Sequence, residues 1–230
     1  MKIAFLGTSI SDAGFRAAQF GWAVDVAHPD YGNLVGMQTR LTIGLNRQVT
    51  LLNFSKAGSN SSSFLSRIPA MLMSRPNVII LDSIANEVGV DKNIYPEDVK
   101  ARVIAAARNI HALANSGDYG APWRPLIGLM NMCPMKSNPK YKPIEPYVDA
   151  YCQAYVENIP LFQFFIDGQV AWSRLITHKP RLIDRRFDTL WFKSDGVHPT
   201  GLGMHRFWVP IVAKQLVKEL TTIEPSLINW

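Results

Sequence analysis

The 230 residues are 47% hydrophobic, 10% aromatic and 18% charged, a composition that forms a core and excludes a disordered chain. Fifteen Gly and fifteen Pro, scattered without period, exclude collagen and proline-rich linkers. The net charge of +6 divides evenly: residues 1–115 carry 11 basic against 8 acidic groups, residues 116–230 carry 13 against 10, and no basic tail results.

The chain opens on a short apolar run, Ile3–Leu6, that reads as a strand. Four apolar residues fall far short of a leader core or a membrane span, and no later run reaches about 18 apolar residues. A soluble, cytoplasmic protein is the expectation. Gly7-Thr8-Ser9-Ile10-Ser11-Asp12 follows the strand. Gly7 permits a tight turn. Ser9 would open the next helix, where unpaired N–H groups favour an anion. Ser9 is thus placed either as a nucleophile whose attack creates an oxyanion or as an ordinary helix cap.

Leu34, Val35, Gln38 and Leu41 carry a helical stripe. Val49–Phe54 reads as the second strand, followed by a polar loop holding Asn53 and Gly58. Such a loop can aim a backbone N–H into a cleft, or do nothing of the kind. Phe64, Leu65, Ile68 and Leu72 repeat the helical stripe. Val78–Leu81 is the third strand, and Asp82-Ser83-Ile84-Ala85-Asn86-Glu87 follows it. Asn86 is placed either to donate its amide to an oxyanion or to cap a turn.

Pro96, Glu97 and Asp98 mark the start of a long helix with Val99, Val103, Ala106, Ala107, Ile110 and Leu113 on its apolar face, ended by Gly117. Leu126–Met130 and Phe162–Ile166 are the fourth and fifth strands. Between them, Asn131 to Tyr147 reads as a long loop with four prolines and three lysines. Trp191 and Phe192 either cover core or face a substrate, and Gly168 to Leu190 forms either a cap or an edge packing. Ser194-Asp195-Gly196-Val197-His198-Pro199-Thr200 precedes the last helix, with Thr200 as its cap and Phe207, Trp208, Ile211, Val212 and Leu216 as its core face. A carboxylate three residues before a histidine can hold the imidazole by Nδ1 and leave Nε2 to take a serine proton.

Strands alternating with helices predict an α/β fold with a mostly parallel five-stranded sheet. No repeat or linker interrupts the chain, so residues 1–230 are expected to form a single domain. In such sheets ligands bind beyond the carboxyl ends of the strands, which directs attention to the polar segments just named. The basic stretch from Arg174 to Arg186, including Lys179, Arg181 and Arg185, lacks an aromatic–basic motif and reads as a solvated face; no nucleic-acid partner is expected. Cys133 and Cys152 are too few for a disulfide scaffold and read as buried thiols. His111 falls within the long helix and reads as structural, His28, His178 and His205 have no Asp or Glu at a metal-type spacing, and neither a phosphate-binding loop nor a G-x-S-x-G elbow is present.

Four segments in order resemble the SGNH, or GDSL-type, hydrolase family: Gly7-Thr8-Ser9, Asn53 with Gly58, Ile84-Ala85-Asn86-Glu87, and Asp195 with His198. The resemblance implies a flavodoxin-like three-layer α/β/α sandwich. It implies Ser9 as nucleophile, His198 as general base and Asp195 as its orienting partner. The oxyanion hole would comprise the Ser9 and Gly58 N–H groups and the Asn86 side chain. Neither cofactor nor metal is implied. The expected activity is hydrolysis of a carboxylic ester, an O-acyl group on carbohydrate or a small ester, through an acyl-enzyme on Ser9. The alternatives are a carbohydrate O-acyltransferase on the same scaffold and an inactive binding protein that kept the fold. Thr8 replaces the family's Asp, Ile84 its Gly and Glu87 its Asp, which marks a divergent branch.

Overall fold

The computed structural model describes residues 1–16, 21–82, 86–89, 93–131, 140–168, 193 and 198–223. The chain divides into two compact units. One comprises Met1–Asp12, Thr50–Asn131 and the described residues from 140 to 165; the other comprises Ala13–Val49 and the described residues from 166 onward.

The first unit is built around the sheet. β1 (Lys2–Leu6), β4 (Thr50–Asn53), β5 (Val78–Leu81), β6 (Leu126–Asn131) and β7 (Phe164–Asp167) form a five-stranded sheet in the order β4-β1-β5-β6-β7. β2 (Val26–His28) and β3 (Gly32–Leu34) form a separate antiparallel ribbon in the second unit. β1 pairs in parallel with β4 and β5, and β5 in parallel with β6, with Phe5 opposite both Asn53 and Ile80. The expected α/β class and parallel five-stranded sheet are therefore observed. All four residues of β5, and Ile3 through Leu6 of β1, have no exposed surface. Continuous apolar runs are what central parallel strands require, since both faces are covered. β4, at the edge, leaves Thr50 and Asn53 exposed.

The chain leaves β1 to build β4 on one side and returns to build β5 on the other. This reversal of winding opens a crevice beyond the carboxyl end of β1, where ligands bind in sheets of this kind. The helix α1 (Ser9–Ala13) starts there. α3 (Phe64–Leu72) and α5 (Glu145–Glu157) both pack on α4 (Pro96–Asn115). α4 begins as its sequence predicts, with Pro96 in the first turn and the Asp98 carboxylate accepting the Tyr95 N–H at 2.9 Å. Gly117, just past its end, has φ +87°.

In the second unit α2 (Met37–Gly44) packs on α6 (Val209–Ile223). Trp22 and Trp208 meet edge to face at 5.0 Å between ring centroids. Thr200 caps the final helical segment, its Oγ1 accepting the Gly203 N–H at 3.0 Å.

Several expectations are corrected. Leu34 ends β3 rather than starting a helix; α2 begins at Met37, where Asp25 accepts the Gly36 N–H at 2.7 Å and the Thr39 hydroxyl at 3.0 Å. The strand expected at Phe162 starts at Phe164, because Gln163 bonds Ile127 through both its backbone N–H and its side-chain oxygen. Glu145 to Tyr147, read as loop, open α5. Phe207 and Ile211 are half-buried; Trp208, Val209, Val212, Ala213, Leu216 and Leu220 supply the core face. Cys152 is a half-buried reduced thiol on α5. Cys133, Trp191, Phe192, the basic stretch Arg174 to Arg186 and the segment 169–190 lie outside the described residues.

Gly128 on β6 marks a tight approach within the first unit. A Cβ there would lie 1.9 Å from a ring carbon of Phe164 on β7. Gly128→Ala is expected to cost about 1–3 kcal/mol through overpacking. Pairing it with Phe164→Leu is expected to recover part of that loss in a urea double-mutant cycle; additive losses would contradict the contact.

Candidate active site

Three segments that follow β1, β4 and β5 are hydrogen-bonded into one cluster, all within the first unit. Ser9 is the first residue of α1 and is half-buried. Before it, Gly7 stands where no side chain fits: a Cβ would lie 2.9 Å from the Ser11 Oγ and 3.0 Å from the Asp82 carbonyl. The sequence reading of Gly7 as a turn residue is thus met by close approach.

The loop after β4 turns sharply at Lys56 to Ser59, with Ser59 N–H bonded to the Lys56 carbonyl at 3.2 Å. Gly58 is the third residue of this turn and has φ +75°, a left-handed conformation that favours glycine. Its surroundings are open, so the backbone angle rather than space selects glycine here. Three neighbouring groups of the turn have partners outside it. Lys56 N–H donates to the Gly7 carbonyl at 3.1 Å, Ala57 N–H to the Asp12 Oδ2 at 3.3 Å, and the Ser59 carbonyl accepts the Asn86 Nδ2 at 2.7 Å. The Gly58 N–H, on an exposed residue, has no acceptor among the described residues.

Asn86 therefore spends one N–H of its amide on the loop that carries Gly58. The next residue makes a parallel link: the fully buried Glu87 accepts the Ser61 N–H at 2.6 Å through Oε1. Ser61 starts a short 3-10 turn, Ser61–Ser63, capped by the Asn60 side chain, and α3 follows directly. Arg67 on α3 reaches back, donating from Nη1 to the carbonyls of Gly7 at 3.0 Å and Phe54 at 2.8 Å.

One carboxylate lies on α1 and a second is bonded to it from the end of β5. Asp12, 8% exposed, accepts the Asn53 Nδ2 on Oδ1 at 3.1 Å and the Ala57 N–H on Oδ2. Asn53 in turn accepts the Ser55 N–H at 2.9 Å. Asp82, directly after β5, accepts the Ser11 hydroxyl on Oδ2 at 2.5 Å, while its buried Oδ1 has no partner among the described residues. Burial pushes the Asp82 carboxyl up to about 6, against the lowering from the Ser11 hydrogen bond. The hydroxyl of Thr8, the departure from the family pattern, is buried and likewise has no partner among the described residues.

Ser9, Gly58 and Asn86 are thus carried by one hydrogen-bonded cluster. His198 belongs to the second unit, is half-buried, and accepts the Lys193 N–H on its backbone carbonyl at 2.9 Å. Asp195 lies outside the described residues. Sequence reasoning assigned no role to Asp12, Asp82 or Arg67. Asp82 stood in the segment after the third strand, where polar residues mark the crevice; nothing in the sequence singles out Arg67. Among the described residues no group of three metal-ligating side chains occurs.

The family model for the GDSL-like lipases and acylhydrolases matches residues 3–208. The chain belongs to the GDSL-like lipase/acylhydrolase family and is a hydrolase by class. Solved structures share its fold at low identity. The lipase/acylhydrolase from Enterococcus faecalis is 16% identical with a TM-score of 0.60, covering 96% of this chain and 95% of its own. Axe2, an acetylxylan esterase from Geobacillus stearothermophilus, is 18% identical with a TM-score of 0.61, covering 95% and 93%. The psychrotrophic esterase EstA from Pseudoalteromonas sp. is 16% identical with a TM-score of 0.58, covering 96% and 97%. No curated protein matches the chain in sequence. No helix among the described residues is long and apolar enough to cross a membrane.

The pH dependence of stability tests the Asp82 environment. An aspartate in the unfolded chain titrates near pH 4, whereas the native Asp82 carboxyl holds its proton up to about 6. The native state therefore binds more protons across this window, and stability falls as pH rises through it, by at most about 3 kcal/mol. Asp82→Asn, which cannot ionise, is expected to lack this fall. Urea unfolding of both proteins from pH 4 to 6.5 measures it; a constant difference between them would contradict the raised carboxyl.

Proposed function

We propose that the protein is a serine esterase that removes O-acyl groups, acetyl above all, from carbohydrate or a small ester by way of an acyl-enzyme on Ser9. The observation that carries this reading is the Lys56–Ser59 turn. Three of its polar groups are tied to the nucleophile turn, to Asp12 and to Asn86, while the Gly58 N–H keeps no acceptor among the described residues. An N–H held in place without an internal partner suits an oxygen that gains charge during reaction. Family membership supports the acylhydrolase chemistry. The acetylated-carbohydrate substrate class is supported by the fold shared with an acetylxylan esterase.

In this reading His198 Nε2 takes the proton of Ser9 as its Oγ bonds to the acyl carbon. Asp195 orients the imidazole through Nδ1 and stabilises its charged form. The Ser9 and Gly58 N–H groups and the Asn86 amide receive the oxyanion. The intermediate collapses, the C–O bond to the alcohol breaks, and His198 returns the proton to the leaving oxygen. Water then attacks the acyl-enzyme with the same base, releasing the acid and restoring Ser9. All the acid–base work is done by side chains.

A fluorophosphonate probe is expected to label Ser9, read by peptide mass spectrometry, and His198→Ala to suppress that label. Ser9→Ala should lower kcat on p-nitrophenyl acetate by about 10⁴-fold or more, and Asn86→Ala by about 10²–10³-fold. Hydrolysis that persists in Ser9→Ala would refute the acyl-enzyme. Label on Ser9 without net hydrolysis, with acetyl passing to added sugar, would make the protein a transferase.

A further inference from the structure

Asp12 is joined at once to α1 and to the loop after β4, and the proposed mechanism gives it no role. It is nearly buried, and each carboxylate oxygen has a distinct donor: Oδ1 takes the Asn53 Nδ2 at 3.1 Å, Oδ2 the Ala57 N–H at 3.3 Å. Ala57 immediately precedes Gly58, so this bond fixes the Lys56–Ala57 peptide, the unit next to the one that carries the Gly58 N–H. The other end of the turn is anchored by Asn86 on the Ser59 carbonyl. Asn53 fixes the path into the turn, since its own oxygen takes the Ser55 N–H at 2.9 Å.

We propose that Asp12 is a positioning residue of the oxyanion hole, bonding the Asn53 amide and the Ala57 N–H so that the Gly58 N–H is held relative to Ser9 three residues before it. This rests on the esterase reading, in which Gly58 donates to the oxyanion. The two bonds described for Asp12 go to Asn53 and Ala57. Asp12 acts because α1 carries both the nucleophile and the carboxylate that fixes the Gly58 turn, which couples the attacking oxygen to a donor from a different strand.

The donor and acceptor pattern makes the inference testable. In Asp12→Asn one carboxylate oxygen becomes an NH₂, which must face either the Asn53 amide or the Ala57 N–H, donor against donor. Flipping Asn53 only moves the conflict to the Ser55 N–H. The reciprocal pair, Asp12→Asn with Asn53→Asp, removes it. The amide placed at position 12 then donates to the carboxylate placed at position 53 and still accepts from Ala57 N–H, while the other carboxylate oxygen accepts from Ser55 N–H. A bond made only to fix a transition-state donor should alter kcat and leave KM nearly unchanged.

The experiment measures kcat and KM on p-nitrophenyl acetate, with fluorophosphonate labelling of the wild type alongside. Asp12→Asn is expected to lower kcat by about 10- to 100-fold, short of the full loss of an oxyanion donor, with KM changed by less than about threefold. The reciprocal pair is expected to return kcat to within about threefold of wild type. Where Asp12→Asn does not fold, Asn53→Ala at the exposed end of β4 is the substitute, with kcat expected to fall about three- to tenfold at constant KM. Unchanged kcat in the folded variant, or failure of the reciprocal pair to improve on Asp12→Asn, overturns the proposal while Ser9 labelling leaves the esterase reading standing. Absence of both label and hydrolysis in the wild type overturns that reading, and this inference with it.

Discussion

The junction at Gly7 is the constraint on which the site's geometry depends. Its position admits no side chain, because a Cβ would meet Ser11 and the Asp82 backbone at about 3 Å. Its carbonyl accepts from Lys56 N–H, from the Ser59 hydroxyl and from Arg67 Nη1. A single peptide unit therefore joins the end of β1 to the loop after β4 and to α3. The Asp82 N–H, bonded to the Leu6 carbonyl at 3.1 Å, adds the end of β5 to the same point. The three segments at the winding reversal are held by backbone groups first, and side chains refine their positions.

The cluster concentrates carboxylates where burial disfavours charge. Asp12, Asp82 and Glu87 are all buried. Among their donors are two backbone N–H groups, an amide and a hydroxyl. Hydrogen bonds to an ionised carboxylate are stronger than neutral ones, so each carboxylate is a firm anchor where it is fully matched. Asp82 has a donor on Oδ2 only, and burial pushes its carboxyl upward.

The departures from the family pattern acquire physical content here. Glu87 stands where the family has Asp, and its carboxylate spans to the Ser61 N–H at the entry to α3. Thr8 stands where the family has Asp, beside the nucleophile, and its buried hydroxyl has no partner among the described residues. A charged side chain left unpartnered at that position would carry a larger desolvation cost than a hydroxyl does. The cluster that carries Gly58 and Asn86 is connected beside this position.

Much of the scaffold was legible in the sequence, because central parallel strands are continuous apolar runs and long helices carry a periodic face. Val78–Leu81 has the bounds its pattern predicts, the stripe of Phe64, Ile68 and Leu72 lies buried on one helix although Leu65 is exposed, and Pro96 opens its helix as a first-turn proline should. The β2–β3 ribbon escaped notice because its short, mostly exposed strands leave no periodic trace. The start of α5 was hidden by the prolines around it. Ser9, Gly58 and Asn86 were legible as polar residues following strands, in blocks that resemble a known family. By itself the sequence determined the class of fold, the order of the blocks and the residue types available for chemistry, since these depend on local patterns. The tertiary structure alone decided that Asp12 reaches Ala57 and Asn53, that Ser11 meets Asp82, and that Arg67 closes on Gly7. Those partners are 41 to 71 residues apart in the chain, and only the order of strands in the sheet brings their ends together.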